Sequence, residues 1–219
     1  MCADRTAGRR PEPAAAPLTP ECFREATGVS RETLADLERY VALLRKWQPA
    51  INLVGARTLD DVWRRHMLDS AQLAGLASGG RWIDLGSGAG FPGMVLAIMG
   101  VGTVHLAESD QRKAAFLSAV ANETGAKAVI RLGRIEAMGP EIFDVVTARA
   151  LAPLTDLLRQ AQHFVGQNTV CLFPKGQDID AELTEAAKTA PIAMETARRR
   201  GEKRCASVAC GRAACLLFT

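Results

Sequence analysis

One stretch limits what this chain can fold into: Arg81-Trp82-Ile83-Asp84-Leu85-Gly86-Ser87-Gly88-Ala89-Gly90-Phe91-Pro92-Gly93. An apolar run stops at three alternating glycines, and a second apolar run follows the proline. That order predicts a buried strand, a tight turn and the start of a helix. Gly86, Gly88 and Gly90 permit positive φ and let a ligand approach the backbone closely. Pro92 suits a first helical turn, where its missing N–H costs nothing. The helix N-terminus then faces whatever lies over the loop.

The acid in this stretch narrows the ligand. Dinucleotide folds place a pyrophosphate at such a turn. Asp84, two residues before the first glycine, is awkward beside a pyrophosphate. It suits a ligand with a positive end, an ammonium and a sulfonium, and so points to S-adenosyl-L-methionine. Asp84 either touches that ligand through water or orients the loop. A second apolar run, Thr103-Val104-His105-Leu106-Ala107-Glu108, ends in an acid about twenty residues past the glycines, where doubly wound folds bind ribose hydroxyls. Glu108 also suits the N-terminal side of the helix expected over 111–124.

From Arg81 onward strands and helices alternate. Strands are expected over 82–85, 103–107, 128–132, 144–147 and 169–173, with helices over 93–99, 111–124, 153–165 and 178–190. Such alternation predicts an α/β fold, Rossmann-like, with a mostly parallel sheet between helical layers. Two runs over 205–210 and 213–218, flanking Gly211, predict a C-terminal antiparallel hairpin. Ligands of doubly wound sheets sit at the carboxyl ends of strands. That rule selects Glu108, Ile135, Glu136, Arg149 and Lys175. Gly86 and Gly88 would admit the methionine end of the ligand, Glu108 its ribose, Glu136 and the backbone at Ile135 its adenine. Phe91 could pack on the cofactor. Arg149 suits a carboxylate, a phosphate or a stacking contact rather than a sulfonium, and Lys175 a phosphate.

Ahead of the sheet lies an N-terminal helical extension. Residues 1–17 are rich in Ala, Pro and Arg and are expected to be a disordered tail. Residues 18–78 form a helical subdomain and 79–219 the cofactor-binding domain. A short helix over 19–27 ends at Gly28. Ser30 caps a second, whose Leu34, Leu37, Val41, Leu44 and Trp47 recur at helical spacing and which Pro49 is expected to end. Thr58 and Asp61 resemble a capping box opening a long helix over 58–76. On it, His66 and Asp69 share a face. They are either a pair that contacts substrate or a hydrogen-bonded pair joining the helix to the core. Arg65 and His66 are candidates for RNA contact, as is the basic segment holding Arg198, Arg199 and Arg200.

Composition excludes several classes. Of 219 residues 48% are hydrophobic and 23% charged, which suits a globular chain. The net charge of +3 permits an acidic partner without requiring one. The six cysteines form no Cys-x-x-Cys pair, so no zinc cluster or other metal site is expected. They read as small buried hydrophobes in a reducing cytoplasm. No signal peptide and no run of about eighteen apolar residues is present, and a cytoplasmic protein without membrane contact is expected.

Several segments together resemble the bacterial small-subunit ribosomal RNA methyltransferase G family, also called glucose-inhibited division protein B. They are Asn52-Leu53, Arg65-His66-x-x-Asp69-Ser70, the run from Asp84 to Gly93, Arg112-Lys113-x-x-Phe116-Leu117, Arg134-Ile135-Glu136, Ala148-Arg149-Ala150 and Lys175-Gly176. The resemblance implies an S-adenosyl-L-methionine-dependent enzyme that methylates N7 of a guanine in 16S ribosomal RNA, acting on the RNA or the small ribosomal subunit, as a monomer. It places cofactor contacts on Gly86, Phe91, Ile135, Glu136 and Arg149. Glu108 stands where many relatives have Asp. Guanine N7 carries a lone pair and no proton, so no catalytic residue is expected as a general base. The alternative is a methyltransferase of the same cofactor acting on a small molecule or a protein.

Overall fold

The computed structural model describes residues 16–77, 80–149, 151–174 and 182, and the backbone of three strands at 192–195, 205–210 and 214–218. The expected tail over 1–17 (its last two residues excepted), the helix expected over 178–190 (Glu182 excepted), Lys175, Arg198, Arg199 and Arg200 lie outside the described residues.

Helix α1 (Pro20–Thr27) is capped by Thr19, whose hydroxyl accepts from the Cys22 N–H, and it stops at Gly28 with φ 71°. Helix α2 (Arg31–Ile51) starts at Ser30, whose hydroxyl accepts from the Thr33 N–H. It runs through Pro49 instead of ending there. A proline this close to a helix end removes one bond, and Gln48 compensates. Its Oε1 accepts from Leu53 N and Val54 N at 2.9 and 3.0 Å, and its amide donates to Val54 O.

The single long helix expected over 58–76 is broken into pieces. Helix α3 (Ala56–Leu59) is followed by a π-helical stretch, Trp63–Leu68, then α4 (Asp69–Ala71) and a 3₁₀ turn, Gln72–Gly75. No capping box forms. The Thr58 hydroxyl donates to Gly55 O, and Asp61 accepts from Leu18 N instead.

The sheet has β1 (Arg81–Leu85), β2 (Thr103–Glu108), β3 (Ala128–Leu132), β4 (Val145–Ala148), β5 (Val170–Pro174), β6 (Ile192–Glu195), β7 (Cys205–Cys210) and β8 (Ala214–Phe218). Its order is β3-β2-β1-β4-β5-β8-β7-β6. Strands β1 to β5 and β8 are parallel, and β7 lies antiparallel between β8 and β6. The chain steps outward from β1 to β3, then crosses back to β4 on the other side of β1. The switch point therefore falls between β1 and β4, where crevices open at strand carboxyl ends. Helices α5 (Gly93–Ile98), α6 (Gln111–Thr124) and α7 (Leu154–Ala161) are the crossovers; the helix expected over 153–165 ends as a 3₁₀ turn, Gln162–Phe164.

Alternate residues of each central strand feed opposite cores. Trp82, Leu106 and Val145 join a cluster with Phe23, Leu37, Tyr40 and Leu44 of the N-terminal helices and with Phe116 and Leu117 of α6. Ile83, Leu85, Val146 and Phe173 join the second cluster with Leu154, Leu157 and Phe164. The N-terminal helices thus cover one sheet face and share its core. Cys171 is buried in the second cluster, as expected of the cysteines, whereas Cys22 is exposed on α1.

Candidate active site

The turn after β1 has the backbone its glycines predict, with φ of 64° at Gly86, 56° at Gly88 and 96° at Gly90. Ser87 N donates to Ala107 O, tying the loop to the end of β2. Gly90 is required twice over. Its φ disfavours an L side chain, and a Cβ would lie 2.7 Å from the Tyr40 hydroxyl oxygen and 2.8 Å from Met94 Cβ. At Gly88 a Cβ would meet nothing nearer than 3.8 Å, so the loop backbone is open there.

Asp84 is fully buried. Its Oδ1 accepts from the Thr147 hydroxyl at 2.8 Å, and its Oδ2 accepts from Gly93 N, the first residue of α5, at 3.2 Å. Burial pushes its carboxyl up to about 6, against the pull of those hydrogen bonds and of Arg149. With no face toward solvent, Asp84 orients the loop and the helix start; it is not placed to meet a ligand.

Glu108 links two loops. Its Oε2 accepts from Gly88 N and its Oε1 from Asp110 N, both at 2.8 Å. Each carboxylate oxygen accepts two bonds, so each keeps a site for another donor. Gly86, Gly88, Glu108, Ile135 and Glu136 come together around one cavity of about 360 Å³. That is at the lower end of the usual range for small-ligand sites. Ile135 and Glu136 lie on a 3₁₀ turn after β3, and Glu136 accepts from the Gln160 amide at 3.0 Å.

Phe91 and Arg149 do not line this cavity. Phe91 is buried between two rings, Tyr40 at 5.4 Å and His66 at 4.7 Å between centroids. Sandwiched there, it supports the loop from the N-terminal side. Arg149 directs its Nη2 to Arg65 O at 2.9 Å and to His66 Nδ1 at 3.1 Å. Burial lowers the Arg149 pKa from its ordinary value.

His66 corrects the expectation drawn from helical spacing. It is 7% exposed, and its two ring nitrogens bond Thr58 and Arg149, so neither is offered to Asp69 or to an RNA phosphate. The π-helical stretch is the physical reason, because it rotates residues away from their α-helical directions. Burial, with Arg149 and Arg65 nearby, lowers the His66 pKa to about 4 and keeps the ring neutral. Arg65 on the same stretch is exposed.

Tyr40, Thr147, Leu151 and Gln160 were not singled out from sequence. Tyr40 lies on the same helical stripe as Leu37 and Leu44, which was the one available signal. Its hydroxyl donates to Ala89 O in the glycine loop. Leu151 covers Gly86, where a Cβ would lie 2.4 Å from its Cδ1. Among the described residues no group of His, Cys, Asp and Glu could hold a metal, and no helix is long and apolar enough to cross a membrane.

Two solved structures share the architecture. The ribosomal protein L11 methylase of Lactobacillus delbrueckii subsp. bulgaricus superposes with a TM-score of 0.50 at 19% identity, over 60% of this chain and 74% of that one. The YcgJ protein of Bacillus subtilis gives 0.50 at 15% identity, over 61% and 71%. Sequence relatives are much nearer. The ribosomal RNA small subunit methyltransferase G of Rhodospirillum centenum is 55% identical over 175 residues, 79% of this chain and 81% of the relative. That of Rhodospirillum rubrum is 50% identical over 187 residues, 84% and 93%. A family model described as rRNA small subunit methyltransferase G matches residues 33–203. The chain belongs to the rRNA small subunit methyltransferase G family.

Proposed function

We propose that the protein transfers the methyl group of S-adenosyl-L-methionine to N7 of a guanine in 16S ribosomal RNA. The observation that carries this is the cavity at the carboxyl ends of β1, β2 and β3, where an open glycine backbone and two acids after neighbouring strands converge. Membership of the family gives the substrate class.

The residues suit a nucleoside with a cationic end. The remaining acceptor sites of Glu108 take ribose hydroxyls. Glu136 accepts from the adenine amino group, and the backbone at Ile135 donates to the ring. Gly86 and Gly88 let the methionine end lie against the chain. Bound S-adenosyl-L-methionine supplies an electrophilic methyl group on a sulfonium. Guanine N7 needs no proton removed, so the protein's task is alignment, which can be worth about 7–11 kcal/mol. Exposed Arg65, and outside the described residues Lys175, Arg198, Arg199 and Arg200, are the proposed RNA contacts. The enzyme is taken to act as a cytoplasmic monomer.

The test is incubation of the protein with methyl-labelled donor and either 16S RNA or small subunits, followed by mapping of the modified base. Label at a guanine N7 is expected. Label in protein or small molecules with none in RNA under either condition would refute the assignment.

A further inference from the structure

The hydrogen-bond chain through His66 has only one possible polarity. The Arg149 guanidinium can only donate, so His66 Nδ1 must be the acceptor and carry no proton. A neutral ring then carries its proton on Nε2, which donates to the Thr58 hydroxyl oxygen at 2.8 Å. The Thr58 hydroxyl in turn donates to Gly55 O at 2.7 Å. From Arg149 Nη2 to Gly55 O, each donor along the chain meets an acceptor. The π-helical stretch is what brings His66 to this place, and such stretches collect at functional sites.

The chain ends at an unfinished group. Arg149 Nη1 is buried and has no hydrogen-bond partner among the described residues. A buried guanidinium donor left unsatisfied is costly unless something supplies an acceptor. Arg149 follows Ala148, and Ala148 pairs with Leu85 across β1 and β4. Arg149 therefore leaves the sheet beside Gly86, the cavity residue that would meet the methionine end of the donor.

We propose that His66 is a positioning residue: through its Nδ1 lone pair it holds the Arg149 guanidinium so that Nη1 is kept for the carboxylate of the methyl donor. This rests on the function proposed above. His66 touches no reacting atom. It works through Arg149, and its ring also backs Phe91 of the glycine loop.

The experiment compares wild type, His66→Phe, His66→Asn and Thr58→Val by calorimetry with S-adenosyl-L-methionine, with melting curves and steady-state kinetics alongside. His66→Phe keeps a ring against Phe91 and removes both nitrogens. It should weaken donor binding about tenfold and raise the donor KM more than it lowers kcat. His66→Asn keeps an acceptor near the Nδ1 position and should recover to within about threefold of wild type. Thr58→Val removes the acceptor that holds the ring through its Nε2–H, at a half-buried site, and should weaken binding about two- to fourfold even if His66→Phe does not fold. Unchanged donor affinity in Thr58→Val and in a folded His66→Phe overturns the proposal. So does a His66→Asn as weak as His66→Phe, which would mean that the acceptor is not what matters. Failure of the wild type itself to bind the donor would instead overturn the function proposed above.

Discussion

Replacing Asp84 by Asn should make the protein more stable at neutral pH while leaving donor affinity nearly unchanged. The folded carboxyl titrates at about 6, against an ordinary value of 3.8. Between these values the folded state holds more protons than the unfolded state, so this group lowers stability as pH rises. Above the folded value the penalty is complete, at most about 3 kcal/mol. An amide avoids it and can be accommodated. Its oxygen accepts from Gly93 N, and its NH2 donates to Thr147, whose hydroxyl turns toward Ile83 O, now 3.5 Å away. The expected gain is about 1–3 kcal/mol at about pH 7.5, vanishing near pH 4. Urea unfolding of both proteins at the two pH values measures it. His66 titrates in an overlapping window with the opposite slope, since its folded value is about 4 and its ordinary value 6.5. The wild-type profile is therefore flattened, and the difference between the two proteins isolates Asp84. An Asn variant less stable than wild type at pH 7.5 would refute the reasoning, since the carboxylate would then be worth more than its burial costs. A tenfold loss of donor affinity in a folded variant would place Asp84 at the ligand.

Glu108→Ala removes the acceptor shared by Gly88 and Asp110, and should weaken S-adenosyl-L-methionine binding by about 1.5–3 kcal/mol in calorimetry. Gly90→Ala combines a φ of 96° with contacts under 3 Å, and should lower stability by about 2 kcal/mol or more in a melting experiment. Tyr40→Phe leaves the buried Ala89 carbonyl without its donor and should cost about 1–3 kcal/mol by the same measurement. Reversing the charges of Arg198, Arg199 and Arg200 should weaken RNA binding and flatten its salt dependence while donor affinity stays constant.

The glycine turn, the strand and helix alternation and the acids after β2 and β3 were legible because each depends on local order. Positive φ needs glycine, a buried parallel strand needs an apolar run, and a strand's end lies where its apolar run stops. Gly86, Gly88, Glu108, Ile135 and Glu136 accordingly fall around one cavity. The helix over 58–76 was not legible. Its apolar spacing suits an α-helix, yet Trp63–Leu68 widens so that Trp63 packs on Phe23 and His66 on Phe91, contacts between segments far apart in the chain.

Chain order was thus enough to specify a parallel sheet with a glycine-lined mouth, because backbone sterics and the burial of apolar runs act over a few residues at a time. Folding in three dimensions assigned the roles of His66, Arg149, Phe91 and Asp84. Whether a histidine meets solvent or a guanidinium, and whether an acid faces a ligand or a helix start, depends on partners from other elements. His66, Arg149 and Phe91 meet only where the N-terminal segment packs over the sheet, and Asp84 meets Thr147 and Gly93 only where β1, β4 and α5 come together.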